Sequence, residues 1–218
     1  MAIKVIAADS HPLFTLGIES ALSKCDDVDL VGIAHSSSEL FTLAADIPCD
    51  VLVIDHCSCR WEGFGSLMSA LRAAHPHLKM VVQVCMHNAA LLATMSRLGI
   101  GAVLHKCDAV NHLAHAIQAA HAGAIYVSPA LQCLKPMAGN LDVSCVLTAR
   151  ETEILRLFLS GLPVCEIARK LHRAKQTVSA HKSKAMRKLG VESDAELFGL
   201  RYLDALFAIN GFQEATQT

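Results

Sequence analysis

The sequence predicts two domains: a doubly wound α/β layer built on a five-stranded parallel sheet, then an all-α domain of four helices. Three observations predict this. Short runs rich in Val and Ile alternate with helical patterns through residue 124. From residue 147 onward the apolar spacing is helical only. Between the two, residues 125–146 collect turn and linker signals: Ser128-Pro129, Lys135-Pro136 and Gly139-Asn140. The expected division is therefore 1–124, a linker at 125–146, and 147–218.

The elements follow in order. The expected strands are Ile3–Ala8, Val28–Ala34, Asp50–Ile54, Lys79–Val84 and Ala102–Leu104. Several are apolar throughout, as strands buried on both faces of a parallel sheet are. Helical stretches near 12–23, 37–45, 64–74, 88–97 and 108–122 separate them. Alternation of this kind closes into right-handed crossovers with helices on both faces, and a ligand site then lies beyond the carboxyl ends of the strands. A short helix near 128–134 fits the segment after Ser128. In the second half, Thr148 with Glu151 and Ser193 with Glu196 have the spacing of capping boxes. Helices are expected at about 149–160, 164–171, 175–189 and 194–207, with Gly161 and Gly190 as stops. Only three or four residues separate the second and third of these, the spacing of a helix-turn-helix.

Composition narrows the function class. Of 218 residues, 53% are hydrophobic and 18% charged, so a sizeable core can form. No apolar run approaches the roughly 20 residues that cross a bilayer. The N-terminus lacks the basic start and apolar stretch of a signal peptide. The expectation is a cytoplasmic protein with no membrane partner. Charge is unevenly spread: residues 1–146 carry eight bases and twelve acids, residues 147–218 eleven bases and eight acids. Arg169–Lys188 holds eight bases and no acid. Solvated helix faces usually interleave the two signs, so this run points to a polyanion such as nucleic acid.

On the third helix of the second domain, Val178, Ala185 and Leu189 share a face at spacings of seven and four. That face suits packing. Lys175, Ser179, Lys182 and Ser183 point elsewhere and flank Ala180. Small side chains with basic edges suit entry into a major groove, with Lys on phosphates and short residues near base edges.

The motifs then become specific. Leu147 through Leu155, Glu166-Ile167-Ala168, Thr177-Val178, His181 and Arg187 through Val191 resemble the LuxR-type helix-turn-helix of the NarL/FixJ response regulators. The resemblance covers about 60 residues and several fixed spacings. It implies base-reading positions at Ser179, Ala180 and Ser183. It implies phosphate contacts near Thr177, Lys182, Lys184 and Lys188. It also implies a dimer helix carrying Leu197, Leu200 and Leu203, with Phe207 on the same stripe; the alternative for each is core packing against the first helix. Ala174 departs from the family, which usually has a Ser-type N-cap there, at a cost of about 1 kcal/mol.

The first domain resembles the flavodoxin-like receiver domain of two-component signalling. Asp9 ends the first strand with His11-Pro12 after it, Asp55 ends the third, and Gly99 through Lys106 and Gly123 through Pro129 with Tyr126 fit the same plan. By that resemblance Asp55 matches the phospho-accepting Asp, Asp9 the first metal-binding acid, and Lys106 the phosphoryl-pairing Lys. The departures bear on control. The second acid is Ser10, the phosphoryl-sensing Ser/Thr is Cys85, the aromatic switch position is Val103, and Ser58-Cys59 replaces Met-Pro. Mg²⁺ prefers carboxylate oxygen. Exchanging one carboxylate for a hydroxyl removes a charge from a pocket that must also hold phosphate. The expectation is weak Mg²⁺-assisted phosphorylation and no resident cofactor, with Asp9 and Asp55 as the ligands if Mg²⁺ binds.

Eight of nine Cys and ten of twelve His fall in residues 1–146. Asp9, His11, Asp55, His56, Cys57, Cys59, Cys85, His87, His105 and Cys107 all sit at strand ends. Three readings stay open: buried filler thiols and ordinary surface His, oxidisable thiols, or ligands for a soft ion such as Zn²⁺ or Cu(I). No arrangement of nucleophile, base and orienting group points to an enzyme. The expectation is a homodimeric regulator of transcription on double-stranded DNA with an atypical receiver. Its input is a sensor kinase, a phosphotransfer protein or an auxiliary regulator. The alternative is an interaction module, or a redox- or metal-sensing receiver, in which DNA binding is secondary.

Overall fold

The computed structural model describes residues 2–57, 64–85, 88–132 and 147–199. The backbone divides into two compact units, Met1–His87 with Leu92–Lys135, and Asn88–Leu91 with Pro136–Thr218.

The first unit is a parallel sheet flanked by helices. Its strands are β1 (Ile3–Ala8), β2 (Val28–Ala34), β3 (Val51–Asp55), β4 (Lys79–Val84), β5 (Ala102–His105) and β6 (Tyr126–Val127), in the order β2-β1-β3-β4-β5-β6. Its helices are α1 (Pro12–Leu22), α2 (Ser37–Asp46), α3 (Phe64–Ala74), α4 (Ala89–Arg97), α5 (Asn111–His121) and α6 (Pro129–Gln132). The continuous apolar runs become central strands because both faces are covered: all five residues of β3 are buried. Val5, Ala7, Val51, Val53, Val81 and Leu104 share one core with Ile18 and Leu22 of α1 and Leu113, Ala116 and Ile117 of α5. Alternation along the strands sends Ile6, Leu52 and Ile54, all at most 1% exposed, to the other face. Leu40, Phe64, Met68, Leu71 and Met95 supply large buried side chains of α2, α3 and α4. Each such side chain contributes roughly 1.5–3 kcal/mol on burial.

Two expectations need correction. The sheet gains a sixth, two-residue strand inside the segment assigned to the linker. Tyr126 and Val127 pair with Ala102 and Val103, and the Ser128 N–H donates to the Val103 carbonyl at 3.1 Å. Asp108 holds the segment down by accepting from the Ala130 N–H at 3.1 Å, and Leu131 is fully buried. Residues through 132 therefore belong to the sheet unit, and the rest of the expected linker, 133–146, lies outside the described residues. The third strand also starts at Val51 rather than Asp50 and ends on Asp55 itself. Asp50 instead caps the strand start, its carboxylate accepting from the Lys4 N–H at 2.9 Å.

The second unit has α7 (Ala149–Leu159), α8 (Val164–Lys170), α9 (Lys175–Leu189) and α10 (Asp194–Gly199). The capping box at the start of α7 is complete: the Thr148 side chain accepts from the Glu151 N–H, and the Glu151 carboxylate accepts from the Thr148 N–H at 2.8 Å. At α10 the Glu196 N–H donates to Ser193, but the Glu196 carboxylate reaches the Glu192 N–H instead of that of Ser193. Gly161 and Gly190 have φ of 96° and 66°, the left-handed conformation expected of residues that stop a helix. Ile154, Ile167, Ala168 and Val178 form the core.

Candidate nucleic-acid interface and receiver pocket

α9 presents two unlike faces. Val178, Ala185 and Leu189 are at most 1% exposed. On the far side, Gln176, Ala180, Ser183 and Arg187 are all exposed and recur at spacings of four, three and four, one stripe of a 3.6-residue helix. Lys175, Thr177, Ser179 and Lys184 are exposed beside it. Arg169, Lys170 and Arg173, on α8 and the turn after it, are exposed as well. Sequence reasoning placed Arg187 in the basic run and the family motif but not on this stripe, and it did not single out Gln176; extending the Ala180–Ser183 spacing by four residues in each direction finds both.

Two lysines expected at phosphates are turned inward. The Lys182 ammonium pairs with Asp194 at 2.6 Å and lies 3.7 Å from the centre of the Phe158 ring. The Lys188 ammonium pairs with the fully buried Glu151 at 2.7 Å. Burial raises the affinity of the Glu151 carboxyl for its proton, but Lys188 and Thr148 outweigh it, so its pKa lies below the usual value. Both lysines therefore tie helices of the domain together. Leu197 is fully buried, so it is not an exposed contact for a second copy. Leu200, Leu203 and Phe207 lie outside the described residues.

In the first unit, the strand order reverses beside β1, and the carboxyl ends of β1, β3 and β5 converge there. Asp9 and Asp55 are fully buried. The Lys106 ammonium bridges them, 2.7 Å from Asp9 Oδ2 and 3.1 Å from Asp55 Oδ1, and it lies 3.9 Å from the Phe14 ring centre. The other Asp9 oxygen accepts from the His11 N–H and meets His11 Nδ1, both at 2.8 Å. Asp55 Oδ1 also accepts from the Cys57 N–H at 3.0 Å. Asp55 Oδ2 is buried without a hydrogen-bond partner among the described residues. Burial pushes the Asp55 pKa up, more than Lys106 and the Cys57 N–H pull it down.

Asp9, His11 and Asp55 each offer a ligand atom within 4.8 Å of the others. This donor set fits Mg²⁺ poorly. The Lys106 ammonium already occupies one oxygen of each carboxylate and offsets one of their two charges, Ser10 stands where a second neighbouring acid is expected, and imidazole nitrogen is a poorer donor than carboxylate oxygen for a hard ion.

The rest of the Cys/His rim separates. His56 is buried against Phe64, ring centres 4.7 Å apart, and desolvation lowers its pKa to about 4. His105 is buried, its Nδ1 accepting from the Cys107 N–H at 3.1 Å. Cys107 is exposed. Val103 is buried in the sheet. Cys57 and Cys85 meet in a disulfide at the pocket mouth, a pairing that sequence separation concealed. Ser58, Cys59 and His87 lie outside the described residues.

Comparisons with known proteins agree with this architecture. Residues 145–200 match the model of the family described as bacterial regulatory proteins, luxR family. The transcriptional regulatory protein RcsB of Escherichia coli K12 is 32% identical over 209 residues, covering 94% of this chain and 95% of the relative. The response regulator GacA of Pseudomonas syringae pv. syringae is 27% identical over 203 residues, covering 89% and 93%. Among solved structures, RcsB of Salmonella enterica serovar Typhimurium bound to the flhDC P1 promoter in the presence of BeF3⁻ superposes with a TM-score of 0.78 at 30% identity, covering 94% of this chain and all of that one. A structure of two RcsB dimers bound to two parallel DNAs superposes at 0.74 with 31% identity, covering 94% and 99%. Identity of 32% over nearly the full length, a shared two-unit fold and the helix-turn-helix match together mean that this chain belongs to the RcsB-like response regulators, with a LuxR-family domain at residues 145–200.

Proposed function

We propose that this chain is a transcription regulator that binds double-stranded DNA as a homodimer, with α9 as the helix that enters the major groove. One observation carries the reading: the exposed stripe Gln176, Ala180, Ser183 and Arg187 opposite the buried Val178, Ala185 and Leu189. Small and amide side chains at its centre leave room for base edges, while Lys175, Thr177, Lys184 and Arg187 reach phosphates. The RcsB structure of two dimers bound to two parallel DNAs supports DNA binding as a dimer. Lys182 and Lys188 act structurally in this reading. The stripe that continues past α10, with Leu200 and Leu203, is assigned to pairing of two copies.

The receiver-like unit supplies control without the ordinary Mg²⁺-assisted switch, because Lys106 occupies both carboxylates and Ser10 and Cys85 replace an acid and a hydroxyl. The role is regulatory and not enzymatic, no resident cofactor is needed, and the expected compartment is the cytoplasm. Among the described residues no helix is long and apolar enough to cross a membrane. A sensor kinase, phosphotransfer protein or auxiliary regulator remains the class of upstream partner. A redox-sensing receiver is the second reading, favoured by the Cys57–Cys85 bond.

The test is duplex binding across a salt series. Each phosphate contact contributes about 0.9 to the slope of log affinity against log salt. In the homodimer Lys184→Ala removes one contact per protomer and lowers that slope by about 1.8; Lys182→Ala leaves it unchanged. An unchanged slope in Lys184→Ala, or a flat salt response in the wild type, refutes the reading.

A further inference from the structure

We propose that Cys57 and Cys85 form a reversible thiol–disulfide site at the mouth of the Asp55 pocket, oxidised by a hydroperoxide and reduced by a low-molecular-weight thiol. It deepens the redox-sensing reading of the same receiver pocket.

The placement follows from strand register. β3 and β4 are parallel neighbours, and Asp55 stands opposite Gln83. Cys57 and Cys85 each lie two residues past that pair. Equal offsets past matched positions bring the two side chains to one edge, with Cα atoms 6.5 Å apart, inside the span a disulfide bridges. The pair is tied to the acceptor carboxylate by backbone: the Cys57 N–H donates to Asp55 Oδ1, and the Cys85 N–H donates to Cys57 Sγ at 3.1 Å. Cys85 is exposed and Cys57 half-buried, so an oxidant reaches them. The contrast with Cys49 is instructive. That thiol donates to the Val51 carbonyl at 3.2 Å, and burial pushes its pKa up to about 11, which leaves it inert.

The chemistry balances. One cysteine sulfur attacks the hydroperoxide oxygen, the O–O bond breaks, and a sulfenic acid and an alcohol form. The second thiol then displaces the sulfenic oxygen as water, and the S–S bond forms. Two thiols lose two electrons and two protons; the hydroperoxide becomes alcohol and water. Reduction runs by attack of an external thiolate on one sulfur, through a mixed disulfide, to two protein thiols and an oxidised external disulfide.

The experiment uses the folded full-length protein. It is first reduced with glutathione, then treated with a small hydroperoxide, then returned to glutathione, and thiols are tagged at each stage before peptide mapping. The expected result is loss of tagging at Cys57 and Cys85 together after peroxide, a linked peptide pair lighter by two hydrogens, and recovery of tagging with glutathione under native conditions. Cys25 and Cys49, tagged once each sample is quenched and denatured, stay free thiols throughout. In Cys57→Ser, Cys85 instead takes up one glutathionyl group. Persistent tagging of both thiols after peroxide overturns the proposal. So does a bond that opens only after denaturation, which marks a purely structural disulfide. The duplex salt series is read separately on the reduced protein, so failure there sinks the DNA-binding reading and leaves this site standing.

Discussion

At the residue scale, buried ionisable groups dominate. Lys106 holds two fully buried carboxylates, and removing one partner of such a group leaves uncompensated charge. Lys106→Ala is expected to cost about 3 kcal/mol at neutral pH, measured by urea unfolding. The loss should shrink toward acid pH as Asp55 takes up its proton. Asp55 titrates above its ordinary value in the fold, so the folded state binds its proton more tightly than the unfolded chain does. That carboxylate therefore costs stability above its folded pKa, and Asp55→Asn should raise the neutral-pH melting temperature. His56 has the opposite dependence. Its folded pKa of about 4 lies below the ordinary 6.5, so the unfolded chain binds the extra proton. Stability falls as pH drops from 6.5 toward 4, by roughly 2 kcal/mol between pH 7 and pH 5. Unfolding of His56→Leu beside the wild type at those two pH values isolates this contribution; equal pH dependence in both proteins would contradict it. Asp9, Asp55 and Lys106 were legible in the sequence through the resemblance to a receiver domain, which matched acids and a Lys at or one residue past the ends of buried strands. The inward turn of Lys182 was not, because its partner Asp194 lies on another helix and either lysine geometry fits the same sequence.

At the element scale, helix ends carry the testable energetics. The α7 capping box is complete and its Glu151 also receives Lys188, joining α7 to α9 across 37 residues of sequence. Glu151→Ala should cost about 2–3 kcal/mol, the sum of a cap and a partly exposed ion pair losing its buried partner. A change below a few tenths would show that the pair contributes nothing. α9 has the opposite weakness. Ala174 stands at its N-cap with extended backbone and no side-chain acceptor, so Ala174→Ser should raise stability by about 1 kcal/mol. The strands were readable because parallel strands buried on both faces are apolar without alternation. β6 escaped because two residues carry no periodicity; its hydrogen bonds to β5 and the hold of Asp108 on Ala130 are tertiary facts.

At the scale of the whole molecule, charge is uneven: a net acidic α/β unit holds a buried Asp–Lys–Asp cluster, and a net basic helical unit carries an exposed stripe. The pairing of Cys57 with Cys85 became visible only with the β3–β4 register, since 28 residues separate them. The proposed input is thus a chemical state of the pocket mouth or a protein partner, and ordinary phosphorylation should be slight. Intact mass of the reduced protein after Mg²⁺ and a small phosphodonor should show mainly the unmodified species; near-complete phosphorylation would contradict that. The proposed output rests on α9. Its most direct test is the affinity of Ala180→Glu for a duplex that the wild type binds, with helicity and melting temperature measured alongside. A carboxylate at the centre of the stripe should reduce affinity at least tenfold in a protein that folds as the wild type does. Wild-type affinity in that variant would mean that this face of α9 does not meet DNA.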